Sequence, residues 1–193
     1  MNITVFYDYI CPFSYIGSKR IQKIASDYGI EIEWKGYEIH PEYPSDGKLR
    51  KRSLKMAKVN ESLKSVMDEQ ESKFKLPGFV TNTKMALEAA EFAKTEGKFL
   101  EFHNTCYESY MIDRKNIGDI NVILEIGENV GVDKHRLQEA LTNKEMTDSL
   151  ESYKEDAKKA DVLGVPTILF NDFRIHGVQS IETYKSFIKK FAN

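Results

Sequence analysis

"DYICPFSYIG", residues 8–17, runs from the end of a strand through a cysteine and a proline into the first turns of a helix. Upstream, Ile3, Val5 and Tyr7 alternate with Thr4, Phe6 and Asp8, the period-two pattern of a strand buried on at least one face. Downstream, Ile16, Arg20, Ile21 and Ile24 recur at helical spacing from about Phe13 to Tyr28, with Gly29 as the expected C-cap. "IEIEWK", residues 30–35, alternates again, with Ile30, Ile32 and Trp34 inward against Glu31, Glu33 and Lys35. Strand, helix and strand in this order predict a right-handed parallel crossover.

"HPEYPSDG", residues 40–47, breaks the pattern with two prolines and a glycine. From about Leu49 to Tyr153 only helical periods are visible. They run from Leu49 to Ser72, from Thr83 to Thr95 behind Thr81 or Asn82, from Lys98 to Met111, and from Ile120 to Val130 behind Asp119. A short helix follows Asp133, and a long one extends from Lys144 to Leu163. The β signal returns in "GVPTILF", residues 164–170; "ND" reads as a turn and "FRIHG" as a second strand, so Thr167 to Gly177 is a hairpin. Ser180 then caps a last helix that turns Ile181, Tyr184, Phe187, Ile188 and Phe191 inward. With the helical block set aside, β-α-β followed by β-β-α is the thioredoxin arrangement. The expected fold is therefore α/β, a thioredoxin fold with a large all-helical insertion between its halves. Residues 1–45 and 160–193 would form a discontinuous thioredoxin domain, and 46–159 the insertion.

Composition excludes several classes of function. A chain of 193 residues, 41% apolar, buries a core without covalent staples. A net charge of −2 lacks the basic surplus that phosphate contacts demand, so no nucleic-acid partner is expected. No apolar run approaches the roughly 20 residues of a membrane span. "MNITVFYDYI" has neither the basic nor the apolar segment of a secretory signal, and two cysteines do not make a disulfide framework. The expected location is the cytoplasm, with Cys11 reduced. His40, His103, His135 and His176 are scattered, no Cys/His spacing suggests zinc, and no tightly bound cofactor is expected.

Cys11 sits where a strand meets a helix, with Pro12 at the first helical position, where a missing N–H costs nothing. The amides of Phe13 and Ser14 then point back at the sulfur and, with the helix dipole, favour its anion. Cysteines so placed have pKa values lowered from about 8.5 to roughly 3.5–7.5, and the thiolate is the nucleophile. A low pKa and a reactive thiolate are the expectation for Cys11.

"FYDYICPFSYIG" at the start, "NTKMALEAAEFAKTEGKFLEFH" at residues 82–103 and "GVPTILFND" near the end resemble the DsbA-like thioredoxin superfamily. They are most similar to its FrnE-like branch, which is related to the kappa-class glutathione transferases and the 2-hydroxychromene-2-carboxylate isomerases. The resemblance covers nearly the whole chain. It implies that Cys11 is the nucleophile and that Pro166 is a cis-proline. Val165 would then lie against Cys11 with its N–H and C=O free to pair with an extended peptide or glutathione. Where FrnE-like oxidoreductases carry a second cysteine, this chain has Ser14. Its oxygen forms no disulfide, but it can donate to the Cys11 thiolate.

The resemblance also draws attention to Asn82 with Thr83, and to "GVQS", residues 177–180, which is similar to a glutathione-contacting loop. Ordinary helix capping explains Asn82 and Ser180 equally well. Cys106 lies with Phe99, Phe102, His103 and Tyr110 on an apolar helical stripe and is expected to fill core. "KLRKRSLKMAK", residues 48–58, reads as a solvated basic face.

The resulting expectation is a thiol–disulfide oxidoreductase with a Cys-Pro-Phe-Ser monothiol site. Cys11 and Ser14 are its catalytic residues; Pro12, Phe13, Val165, Pro166, Asn82 and Ser180 line the substrate. Glutathione or another small thiol is the co-substrate that resolves the mixed disulfide, and a disulfide-containing or thiolated protein is the partner. A homodimer is compatible with the sequence. Glutathione conjugation or isomerisation is the rival activity, although the relatives that perform it carry Ser at the position of Cys11. A non-catalytic module that captures extended peptides beside Pro166 is the third reading.

Overall fold

The computed structural model describes residues 1–51, 53–67 and 76–191. The first half of the sheet module is β1 (Ile3–Tyr7), α1 (Pro12–Tyr28) and β2 (Ile32–Gly36). The second half is β5 (Thr167–Phe170), β6 (Phe173–His176) and α8 (Ile181–Phe191). Between them lie α2 (Leu54–Val66), α3 (Lys84–Thr95), α4 (Phe99–Met111), α5 (Ile120–Asn129), α6 (Lys134–Thr142) and α7 (Thr147–Lys159). The short strands β3 (Lys48–Leu49) and β4 (Phe79–Val80) flank α2.

The main sheet has the order β2-β1-β5-β6. β1 and β2 are parallel, in register from Ile3↔Ile32 to Tyr7↔Gly36, while β5 runs antiparallel to β1 and β6 antiparallel to β5. This is the thioredoxin fold with a helical insertion. α1 ends as its sequence dictates, on Gly29 at φ 63, whose N–H returns to Ala25 and Ser26.

Three boundaries differ from the sequence expectation. The block after Leu49 is not purely helical, because Lys48–Leu49 pairs antiparallel with Phe79–Val80. The first inserted helix begins at Leu54 rather than Leu49, where Ser53 Oγ accepts the Met56 N–H and fixes the start; its expected end at Ser72 lies outside the described residues. The long helix spans Thr147–Lys159 rather than Lys144 to Leu163, since Lys144 (φ 58) and Asp161 (φ 50) adopt left-handed backbone that no helix continues through.

The first half of the sheet module meets α4 of the insertion on an aromatic core. Tyr7, Tyr9, Phe102, His103 and Tyr107 are at most 1% exposed, each large ring contributing about 1.5–3 kcal/mol by leaving water. Tyr7 meets His103 edge-on at 4.6 Å, and Tyr9 meets Tyr107 the same way at 4.8 Å. No helix among the described residues is long and apolar enough to cross a membrane.

Candidate active site

Cys11 is the N-cap of α1, extended at φ −86, ψ 115, with buried Pro12 opening the helix. Its N–H donates to Asp8 O at 3.1 Å and its carbonyl accepts the Tyr15 N–H at 3.2 Å, so the backbone is fixed on both sides. The sulfur faces the other half of the sheet module: the Cys11 thiol donates to Val165 O across 3.3 Å. The Val165–Pro166 peptide bond is cis, and Pro166 O accepts the Gly177 N–H at 2.8 Å. Gly17 lets α1 approach this loop, for a Cβ there would stand 3.3 Å from Pro166 Cγ. Val165 is half-buried, but its carbonyl is not free as the sequence led us to expect, because the thiol occupies it.

The electrostatics correct a second expectation. Cys11 is only 6% exposed, and its thiol is shifted above its ordinary range rather than below it. Burial is the largest cause; the Ser14 hydroxyl and the amides of Ser14 and Phe13 oppose it, while the Asp8 charge adds to it. The helix-end donors are present as the sequence implied, but desolvation outweighs them.

Ser14 is fully buried and its Oγ has no hydrogen-bond partner. The same hydroxyl favours an anion on Cys11. As a thiol, Cys11 donates to Val165 O; as a thiolate it would instead accept from the Ser14 hydroxyl. An unpartnered buried hydroxyl costs about 1–3 kcal/mol, a cost relieved when the sulfur becomes an acceptor.

Asp8 is the residue that sequence reasoning missed. The alternation of β1 promised burial of one face only, yet both Asp8 and Phe6, on the other, are at most 1% exposed. Its carboxylate accepts the N–H groups of Ile10 at 3.2 Å and Ile39 at 2.8 Å, and the Thr83 side chain also bonds it. Its carbonyl takes the Tyr107 hydroxyl at 3.2 Å besides the Cys11 N–H. Burial raises its pKa to about 6. An acid three residues ahead of a cysteine, at the mouth of a buried strand, was the available signal.

The remaining candidates divide. Phe13 is partly exposed beside the sulfur. Asn82 is committed elsewhere: Nδ2 donates to Glu38 Oε1 at 2.7 Å and Oδ1 accepts the Lys84 N–H at 3.0 Å, joining the loop after β2 to α3. Ser180 Oγ accepts the Thr183 N–H at 3.1 Å, capping α8 beside a cleft lined by Arg20, Val66, Val178 and Glu182. Arg20 spans that cleft, donating to Gln179 O at 2.9 Å and Val66 O at 2.5 Å. Cys106 is fully buried in α4, and burial puts its thiol well above the ordinary range. His103, between Tyr9 OH and Ser18 Oγ, has its pKa lowered to about 3 by burial and stays neutral. Among the described residues no three His, Cys, Asp or Glu side chains cluster as metal ligands.

Residues 2–189 match the DSBA-like thioredoxin domain family. In fold, the chain is similar to a probable DsbA oxidoreductase of Streptomyces coelicolor, with a TM-score of 0.84 and 16% identity over 100% of this chain and 91% of that one. It is also similar to a 2-hydroxychromene-2-carboxylate isomerase, at a TM-score of 0.81 and 17% identity over 100% and 96% of the two chains. The cytosolic disulfide reductase DsbM of Pseudomonas aeruginosa, solved with GSH, follows at a TM-score of 0.73 and 11% identity over 98% of each chain.

Proposed function

The chain belongs to the DSBA-like thioredoxin domain family, and we propose that it is a cytoplasmic monothiol oxidoreductase that exchanges disulfides through Cys11 alone. One observation carries the reading: the Cys11 sulfur lies 3.3 Å from the Val165 carbonyl, while the helical position that would resolve it is Ser14. The thiolate attacks one sulfur of a substrate disulfide; the substrate S–S bond breaks, Cys11 joins the attacked sulfur, and the other sulfur leaves as a thiolate that takes up a proton. Ser14 cannot reverse this from within. A second thiolate, from glutathione or another small thiol, attacks the mixed disulfide, carries away the bound group as a new disulfide and returns Cys11. The glutathione in the Pseudomonas reductase supports a small thiol in this role.

On this reading residues 1–45 and 160–193 form the catalytic thioredoxin domain, and 46–159 cover it. Pro12 and Phe13 flank the attacked sulfur, Val165 and Pro166 align the substrate backbone, and the α8 end at Ser180 receives an anionic group of the thiol. Asn82 acts at one remove, through the loop it holds. Turnover of a glutathionylated peptide by wild type and Cys11→Ala tests the proposal. Loss of turnover is expected; unchanged turnover overturns it. Conjugation of a chloronitrobenzene-type substrate that survives Cys11→Ser would move the activity to the transferase and isomerase side.

A further inference from the structure

We propose that the Val165 carbonyl is a competitive latch on the nucleophile, released by the substrate itself. In the resting protein this oxygen holds the Cys11 S–H; an N–H of an extended substrate takes the oxygen, and the released sulfur turns to the Ser14 hydroxyl. The inference rests on the exchange reading above and specifies how that site is switched on.

Three observations carry it. First, the carbonyl that an extended substrate would pair with is already an acceptor, of the thiol, at 3.3 Å. An S–H is a weak donor and a backbone N–H a strong one, so the exchange favours the substrate. Second, Ser14 Oγ is buried without a partner one helical turn from the sulfur, a donor that a thiolate, a far stronger acceptor than a thiol sulfur, would engage. Third, only the thiol form can donate to Val165. A thiolate facing that carbonyl would be repelled, whereas the amides of Phe13 and Ser14 and the Ser14 hydroxyl all favour the anion. The same atoms therefore define two states, a carbonyl-bound thiol and a hydroxyl-bound thiolate. Asp8, just after β1, and Tyr107 on α4 are titratable groups that couple electrostatically to the sulfur, and neither belongs to the Val165 loop.

The latch makes reactivity conditional on occupancy. A passing electrophile meets a protonated, shielded sulfur, while a backbone that fits beside Val165 generates its own attacker.

The test follows the thiolate absorbance of wild type minus that of Cys11→Ser across pH. It is run with and without a saturating short peptide carrying S-methylcysteine at its centre, whose binding is measured by calorimetry. The peptide should raise the thiolate fraction at a given pH about tenfold, the worth of one hydrogen bond. In Ser14→Ala the peptide should still bind and the rise should be lost. A bound peptide that leaves the wild-type titration unmoved overturns the latch, and so does a Ser14→Ala protein that retains the full rise. If the titration shifts but no Cys11-dependent exchange is found, the latch stands and the oxidoreductase reading falls. If exchange proceeds with no shift, the reverse holds.

Discussion

The Asp8 carboxylate accepts the Ile39 N–H across 2.8 Å, joining the cysteine loop to the chain leaving β2. Burial lifts that carboxyl from 3.8 to about 6, so the folded protein holds a proton that the unfolded chain releases between those values. Its contribution to stability is full below pH 4 and is lost as pH rises through 6, by about 3 kcal/mol. His103 has the opposite slope. Burial depresses it from 6.5 to about 3, so its contribution is present above pH 6.5 and lost on acidification. The two nearly cancel between about pH 4 and 6. Asp8→Asn removes one of them, and the melting temperature of the variant should rise steeply from pH 4 to pH 6, where in wild type the two contributions offset each other. The variant should also lower the Cys11 pKa, because the lost charge opposes the thiolate. A variant profile as flat as wild type would show that folding does not raise the Asp8 pKa.

A methyl group at Gly17 separates activity from stability. The added Cβ would stand 3.3 Å from Pro166 Cγ and 3.9 Å from the Tyr184 hydroxyl, so the Pro166 loop must yield by a few tenths of an ångström. Gly17 lies inside α1, where alanine is favoured by about 1 kcal/mol, which offsets the crowding. Gly17→Ala should therefore melt near wild type while kcat/KM for disulfide exchange drops roughly tenfold, because a displacement of that loop moves Val165 off the sulfur. Equal losses of activity and stability would mean that the whole module had shifted.

The sequence carried the architecture because its signals were local. Alternation at Ile3–Tyr7, helical spacing at Ile16–Ile24 and "GVPT" each point to one element, and their order leaves one topology. It carried Cys11, Ser14 and the Val165–Pro166 loop as types of residue, but not their balance of forces. The donors around Cys11 are read from backbone geometry, whereas the desolvation that outweighs them depends on what packs above the sulfur from distant segments. Asp8 was hidden for a related reason: β1 is covered on both faces, and period two cannot register a second cover. The strand pair Lys48–Leu49 with Phe79–Val80 is too short for any periodic signal.

Restoring the missing sulfur probes Ser14 directly. In Ser14→Cys the new thiol replaces a buried, unpartnered hydroxyl one turn from Cys11, at the spacing that ring closure within a helix start permits. Cys11 and Cys106 form no disulfide with one another. After mild oxidation the variant should lose the reactivity of Cys11 towards alkylation without dimerising, and it should discharge a bound glutathionyl group with no external thiol. Mass spectrometry of trapped intermediates reads both. A variant that accumulates the same mixed disulfide as wild type would place residue 14 out of reach of the sulfur.

The last prediction concerns the clamp between insertion and sheet. Lys94 on α3 donates to Trp34 O of β2 at 2.5 Å, to both oxygens of Glu91 at 2.7 and 2.9 Å, and to the Tyr153 hydroxyl of α7 at 3.2 Å. Tyr153 in turn donates to Glu91 Oε2 at 2.8 Å. The Glu91 side chain is only 4% exposed, so removing its cation leaves a buried charge held by one hydroxyl. Lys94→Met should cost about 3 kcal/mol in denaturant unfolding, as breaking a buried pair does. Adding Glu91→Leu should recover part of that loss, because the stranded charge disappears. A Lys94→Met loss under about 1 kcal/mol would class the pair with exposed ion pairs. The insertion would then be held to the sheet mainly by its aromatic core and by contacts such as Lys35 with Asp156.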